Sequence, residues 1–201
     1  MNAPIHASQK SAGDQYPLTL PSKEESNLNS SRRIAIIVGV LFIIGTASGI
    51  LSAIVTGPLV SDPEYLTKIA ANANPITLGA LCTLTMGLAL AWVPVVIFPV
   101  LKKHSEVLAF GYLVFRGALE TFAYFITVIS WLLLVPLSQA SVAAGVSSAA
   151  YFQTLGNSIL KAADIGSVMT SIVFSLGAMM LYVVFYQSKL IPRWISGWHR
   201  C

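Results

Sequence analysis

Residues 107–137 read VLAFGYLVFRGALETFAYFITVISWLLLVPL, an apolar stretch whose only charged residues are Arg116 and Glu120. A helix that crosses a bilayer needs about 20 such residues, each rising about 1.5 Å. A charge at bilayer depth costs about 2.5–3.5 kcal/mol on insertion scales, so such residues are usually paired and face away from lipid. Arg116 and Glu120 stand four residues apart, which puts them on one helix face where each can neutralise the other. At about 100° per residue from Tyr112, the residues Ser130, Arg116, Thr127, Glu120, Trp131 and Tyr124 all fall within about one third of the circumference. Thr121 is the exception. The stretch therefore predicts a membrane-spanning helix with one polar stripe turned toward other helices or water.

Two readings of that stripe stay open. Arg116 and Glu120 form either an internal ion pair that fixes helix rotation, or a ligand or proton site that brings its own counter-ion. Arg116, Glu120, Tyr112, Tyr124 and Thr127 are the candidate site on either reading.

Outward from this segment, residues 34–60, 75–101 and 165–187 are also long and apolar enough to span. The chain as a whole is 201 residues, 55% hydrophobic and 10% charged, against about 25% charged in ordinary soluble domains. The expected fold is an all-α integral membrane bundle with four complete transmembrane helices over residues 34–190, because each spanning segment must satisfy its own backbone. Barrel-type alternation over about ten residues is absent. Residues 1–33 are polar and lack apolar periodicity, which predicts a disordered cytoplasmic tail. Residues 191–201 read as a cytoplasmic or interfacial end.

Basic residues set the expected orientation. Arg32, Arg33, Lys102, Lys103, Lys189, Arg193 and Arg200 fall on one side, and Lys68 and Lys161 on the other. The positive-inside rule then puts both termini in the cytoplasm. On the outer side, Asn74-Pro75 reads as the start of the second span, and Tyr151, Phe152 and Leu155 predict an amphipathic helix in the second half of the 138–164 connection. The short Lys102-Lys103-His104-Ser105 link makes spans two and three antiparallel neighbours.

The fourth span carries a second polar face of Lys161, Asp164, Ser171 and Ser175, with Tyr182 in line. Aligning the inner ends of spans three and four puts Glu120 level with about Leu176, about 18 Å below Asp164, too far for a Glu120–Lys161 bridge. Lys161 and Asp164 then read as interfacial charges reaching water. Small residues repeat every fourth position in Gly45-Gly49, Ser48-Ser52-Thr56, Gly79-Thr83-Gly87-Ala91 and Ser167-Ser171-Ser175, which predicts helix-packing faces. Pro94 and Pro99 predict a kink in the inner half of span two.

The sequence lacks the H-E-x-x-H, G-x-S-x-G and Walker A motifs, and its His and Cys residues have no metal-ligand spacing. His6, His104 and His199 lie outside the spans, which argues against haem ligation. Cys82 and Cys201 give no disulfide framework. The expectation is a protein without cofactor, metal or nucleic-acid partner, and not an enzyme. Its expected partners are membrane lipid and a membrane protein, including a second copy of itself. It would bind a small amphiphile, lipid or partner helix through the polar stripe; the alternative is a small proton-coupled transporter or transporter subunit using Glu120. A membrane enzyme dependent on Glu120 is the weakest option.

Several stretches together resemble a known family. They are Arg32-Arg33, Gly45-Thr46-Ala47-Ser48-Gly49-Ile50-Leu51-Ser52, Asp62-Pro63 with Tyr65-Leu66, and Pro99-Val100-Leu101-Lys102-Lys103-His104-Ser105-Glu106. The series continues with Gly111-Tyr112, Phe115-Arg116, Glu120, Tyr182 and Leu190-Ile191-Pro192-Arg193-Trp194-Ile195-Ser196 followed by Trp198. Over about residues 32–198 the chain resembles the bacterial multi-pass family called domain of unknown function 4386. The resemblance implies a bacterial inner-membrane protein, and the family's further apolar spans imply that this chain is a member truncated near residues 191–201.

Overall fold

A computed structural model describes residues 23–188, and these are helical almost throughout, with no strand among them. Helix α1 covers Lys23–Val60, the short α2 Tyr65–Ala71, and α3 Asn74–Leu101. Helix α4 covers Glu106–Tyr112 and runs without a break through a π-helical segment, Leu113–Leu119, into α5, Glu120–Ala144. A 3₁₀ turn at Val146–Ser148 leads into α6, Ala149–Ser188. Four stretches are long and apolar enough to cross a membrane: Ser30–Val60, Asn74–Leu101, Glu106–Ala144 and Val146–Ser188. The protein is thus an all-α, multi-pass membrane protein.

Three boundaries differ from the sequence expectation. Helix α1 begins at Lys23, so residues 23–33 continue the first span as helix; the remainder of the expected tail lies outside the described residues, as does the 191–201 end. The 138–164 connection contains no separate amphipathic helix. Instead α5 runs on to Ala144 and α6 starts at Ala149, with the turn made at Gly145, whose φ of 75° favours a residue without Cβ. Tyr151, Phe152 and Leu155 are the first turns of one 40-residue helix. The helical spacing was legible, but an uninterrupted helix carries the same spacing as an isolated one.

The expected helix starts hold locally. Ser105 caps α4, its Oγ accepting from the Leu108 N–H at 3.4 Å, and Pro75 occupies the first turn of α3. Helix α3 continues through Pro94 and Pro99 to Leu101.

Packing follows the row α1–α3–α5–α6. Helix α1 meets α3 through the predicted small residues: Ser52 Oγ donates to the Gly79 carbonyl at 2.8 Å and lies 2.8 Å from Thr83 Oγ1. An added Cβ at Gly45 or Gly49 would meet Leu90 or Met86 of α3, so glycine sets this close approach. Gly87 faces Tyr124 instead, which places α3 between α1 and α5. Cys82, on α3, is half-buried.

The Ser167-Ser171-Ser175 prediction needs correction. Ser171 and Ser175 are exposed, and each hydroxyl donates to its own helix four residues back, at 3.1 and 2.8 Å. The packing face of α6 is Gly156, Ala163, Gly166, Gly177 and Val184, turned toward α5 and the π-helical segment. Glycine and alanine on this face let the facing backbones approach more closely than serine would, and the serines are left outside.

Two apolar clusters close the ends of the row. At one end Tyr65, Leu66, Ile69, Ile76 and Leu134 are buried together, with Trp131 and Phe152 packed against them. Tyr65 also donates to Asn157 Oδ1 at 3.1 Å, tying α2 to α6. At the other end Leu101, Ala109, Tyr112 and Val184 form the second cluster. The polar groups lie between these two.

Candidate intramembrane polar site

Arg116 sits in the π-helical segment and Glu120 opens α5 directly after it. The Glu120 N–H donates to the Phe115 carbonyl, a five-residue step that marks the wider winding. Across from this segment is Pro94 of α3; an added Cβ at Gly117 would lie 3.3 Å from its ring. Because Pro94 has no N–H, the Leu90 carbonyl loses its helical donor. Irregular backbone on two facing helices thus coincides with the charged pair. Such irregularity is tolerated in a membrane where it is packed against protein.

The pair is almost fully buried, with Arg116 5% and Glu120 1% exposed. Arg116 Nη1 donates to both carboxylate oxygens of Glu120. Tyr124, one turn further along, donates its hydroxyl to Glu120 Oε1 at 3.2 Å. From α6, the Phe174 ring covers the guanidinium, with Cζ 4.4 Å from the ring centroid, a cation–π contact. Gly177 makes room for this approach: an added Cβ would stand 3.3 Å from Arg116 Cβ. Each charge therefore has its counter-charge plus a neighbour from the ring or hydroxyl of a second residue.

Beyond Tyr124 is a cavity of about 220 Å³ lined by Ser52, Thr83, Met86, Thr127, Trp131 and Thr170, among others. It lies where α1 and α6 face each other over a floor of α3 and α5. Helices α1 and α6 have no interface comparable to the others, and the lining residues Ala53 and Ser167 are exposed. The cavity consequently opens sideways, toward where lipid would lie.

The predicted stripe is divided by this geometry. Arg116, Glu120 and Tyr124 form one hydrogen-bonded chain. Thr127 lines the cavity and reaches the Ala163 carbonyl at 3.4 Å. Tyr112 is packed into the apolar cluster with Leu101, Ala109 and Val184. Lys161, Asp164, Ser171 and Ser175 lie on the exposed outward face of α6 and do not join the site.

Sequence reading missed Phe174, Gly177, Ser167 and Thr170 as neighbours of the stripe. It also assigned Ser52 and Thr83 to packing alone, although their hydroxyls line the cavity. The available signal was that these small-residue repeats carry hydroxyls where glycine or alanine would pack as closely. Among the described residues no cluster of His, Cys, Asp or Glu has metal-holding geometry.

In the turn between α1 and α2, Asp62 accepts hydrogen bonds from Lys68 Nζ and from the Glu64 N–H at 2.8 Å. The Lys68 contact, followed by the backbone donor, holds its carboxyl below the usual carboxylate range. Burial raises the Tyr65 phenol above its ordinary value.

The family model described as domain of unknown function (DUF4386) matches residues 37–199. No curated protein and no solved structure matches the chain.

Proposed function

We propose, for a chain that belongs to the DUF4386 family, that it binds a small amphiphile within the membrane through the cleft between α1 and α6. The observation that carries this reading is Tyr124. Its side chain lines the sideways-opening cavity while its hydroxyl holds Glu120, so Tyr124 links the hydroxyl-lined chamber to the ion pair behind it. Ligand pockets for drug-sized molecules measure about 300–1,000 Å³. A chamber of about 220 Å³ is suited to a head group, with the tail left in the bilayer.

The basic-residue bias supports an orientation with both termini in the cytoplasm, and the family resemblance supports a bacterial plasma membrane. Thermal unfolding in detergent, with and without added membrane-lipid extract, tests the binding reading. The wild type should gain stability from the extract. Ala53→Phe, which fills the exposed rim of the cavity, should abolish that gain while leaving the unliganded midpoint close to wild type. Equal gains in both proteins would sink the proposal.

One observation favours the second reading, proton-coupled transport. The π-helical winding ends at Glu120, and such segments are frequent at functional sites. Proteoliposome uptake that follows an imposed pH gradient, and that Glu120→Gln abolishes, would support it over simple binding.

A further inference from the structure

The hydroxyl groups around the cavity are not free to donate. Ser52 gives its single proton to the Gly79 carbonyl at 2.8 Å. The 2.8 Å contact between Ser52 and Thr83 must then use the Thr83 proton. Tyr124 donates to Glu120 at 3.2 Å, Thr127 to the Ala163 carbonyl at 3.4 Å, Ser167 to the same carbonyl at 3.2 Å, and Thr170 to the Gly166 carbonyl at 2.9 Å. Every lining hydroxyl thus has its proton committed and its remaining oxygen lone pairs turned to acceptor use.

No charged side chain lines the cavity. The nearby Arg116 is held by Glu120 and covered by Phe174, so an anion would have to displace a carboxylate already in place. A cation would meet a Glu120 already neutralised by the same pair. We propose, resting on the amphiphile-binding reading above, that the ligand's head is uncharged and donates hydrogen bonds: a hydroxyl-bearing lipid such as a long-chain alcohol or a monoacylglycerol. An acceptor-only head, whether ether, ketone or carboxylate, would face a wall of acceptors. Each lining hydroxyl that turned to serve it would abandon a bond within the protein.

Trp131 lines the cavity and serves as the reporter. The full chain carrying Trp92→Phe, Trp194→Phe and Trp198→Phe would be placed in phosphatidylcholine nanodiscs. It would be titrated with three probes sharing one bromine-terminated alkyl tail and ending in a hydroxyl, a methyl ether or a carboxylate. The alcohol should quench Trp131 saturably and bind about fivefold or more tightly than the ether, the ratio expected for one net hydrogen bond. The carboxylate should bind more weakly still. Thr83→Val and Ser167→Ala, which each remove an acceptor oxygen from the wall, should shrink the alcohol-to-ether ratio. Equal or tighter binding of the ether or carboxylate would overturn the ligand class while leaving amphiphile binding intact. Quenching by all three that is linear, unsaturable and unchanged by Ala53→Phe would overturn both.

Discussion

Tyr124 and Arg116 hold the same carboxylate from opposite directions, the tyrosine hydroxyl 3.2 Å from Glu120 Oε1 and the guanidinium one turn earlier on the same helix. This arrangement keeps two charges inside a membrane-spanning segment without a partner from another helix. The neighbouring helices supply the Phe174 ring and the space at Gly177 and Gly87. The site is therefore built mainly within one helix, and it should survive changes elsewhere in the row better than changes within itself.

Removing both members of the pair should cost less than the two single losses added together. Glu120→Gln leaves a buried guanidinium without its counter-charge, and Arg116→Met leaves a buried carboxylate with only Tyr124. Each single variant should lose about 3–5 kcal/mol of stability. The double variant Arg116→Met/Glu120→Met should lose clearly less than the sum, because neither charge is stranded. Unfolding equilibria measured in bicelles by steric trapping check the sign; strict additivity would show that the two groups do not interact.

The α1–α3 contact has a similarly specific weak point. An added Cβ at Gly79 would lie 1.9 Å from Thr56 Cγ2, and Thr56 cannot swing away without breaking its 2.8 Å bond to the Ser52 carbonyl. Gly79→Ala should destabilise by about 1–3 kcal/mol, as overpacking does. Thr56→Ser deletes the clashing methyl and keeps the hydroxyl. Adding it to Gly79→Ala should restore most of the lost thermal stability.

In the turn between α1 and α2 the pH response has a defined sign. The folded-state carboxyl of Asp62 is lowered by Lys68 and by the Glu64 N–H. Its contribution to holding the 61–64 turn is present above the unfolded-state value and disappears as pH falls through the lower folded-state value. The pair is exposed, so the effect on global stability should be small and weakened by salt. The Glu64 amide resonance should titrate with a midpoint below the usual carboxylate range, and Asp62→Asn should flatten the curve. A midpoint at the ordinary value would contradict the Asp62–Lys68 contact.

What the sequence made legible was anything that depends on composition or on same-helix spacing. The four spans follow from long apolar runs, and the Arg116–Glu120 pairing follows from a four-residue offset. The alignment of spans three and four also came close. Arg116 meets Phe174 and Gly177, so Glu120, about one turn higher, stands within about a turn of the expected level. What stayed hidden depends on partners. Which face of α6 is buried was misjudged because serine and glycine both count as small, while only Gly156, Ala163, Gly166 and Gly177 allow the backbone approach that α5 makes. The cavity needed four helices to be placed before Ser52, Thr83 and Thr170 could be seen to share it.

The π-helical segment was invisible for a different reason, and it carries the last prediction. A seven-residue π turn leaves the Arg116–Glu120 offset unchanged, so local spacing does not reveal it. Its effect is on what precedes it: the wider winding changes the rotation of α4 relative to α5. That rotation puts Ala109 and Tyr112 against Leu101 and Val184. The π turn takes up one extra residue, about 100° of rotation. Deleting Val114 should therefore restore ordinary α-helical winding, keep Arg116 and Glu120 four apart, and leave Tyr112 packed against Leu101 and Val184. Hydrogen exchange in nanodiscs should then keep wild-type protection in α4 and in the Met180–Phe185 part of α6. Exchange that rises there after the deletion would mean that the π-helical winding does not set the position of Tyr112.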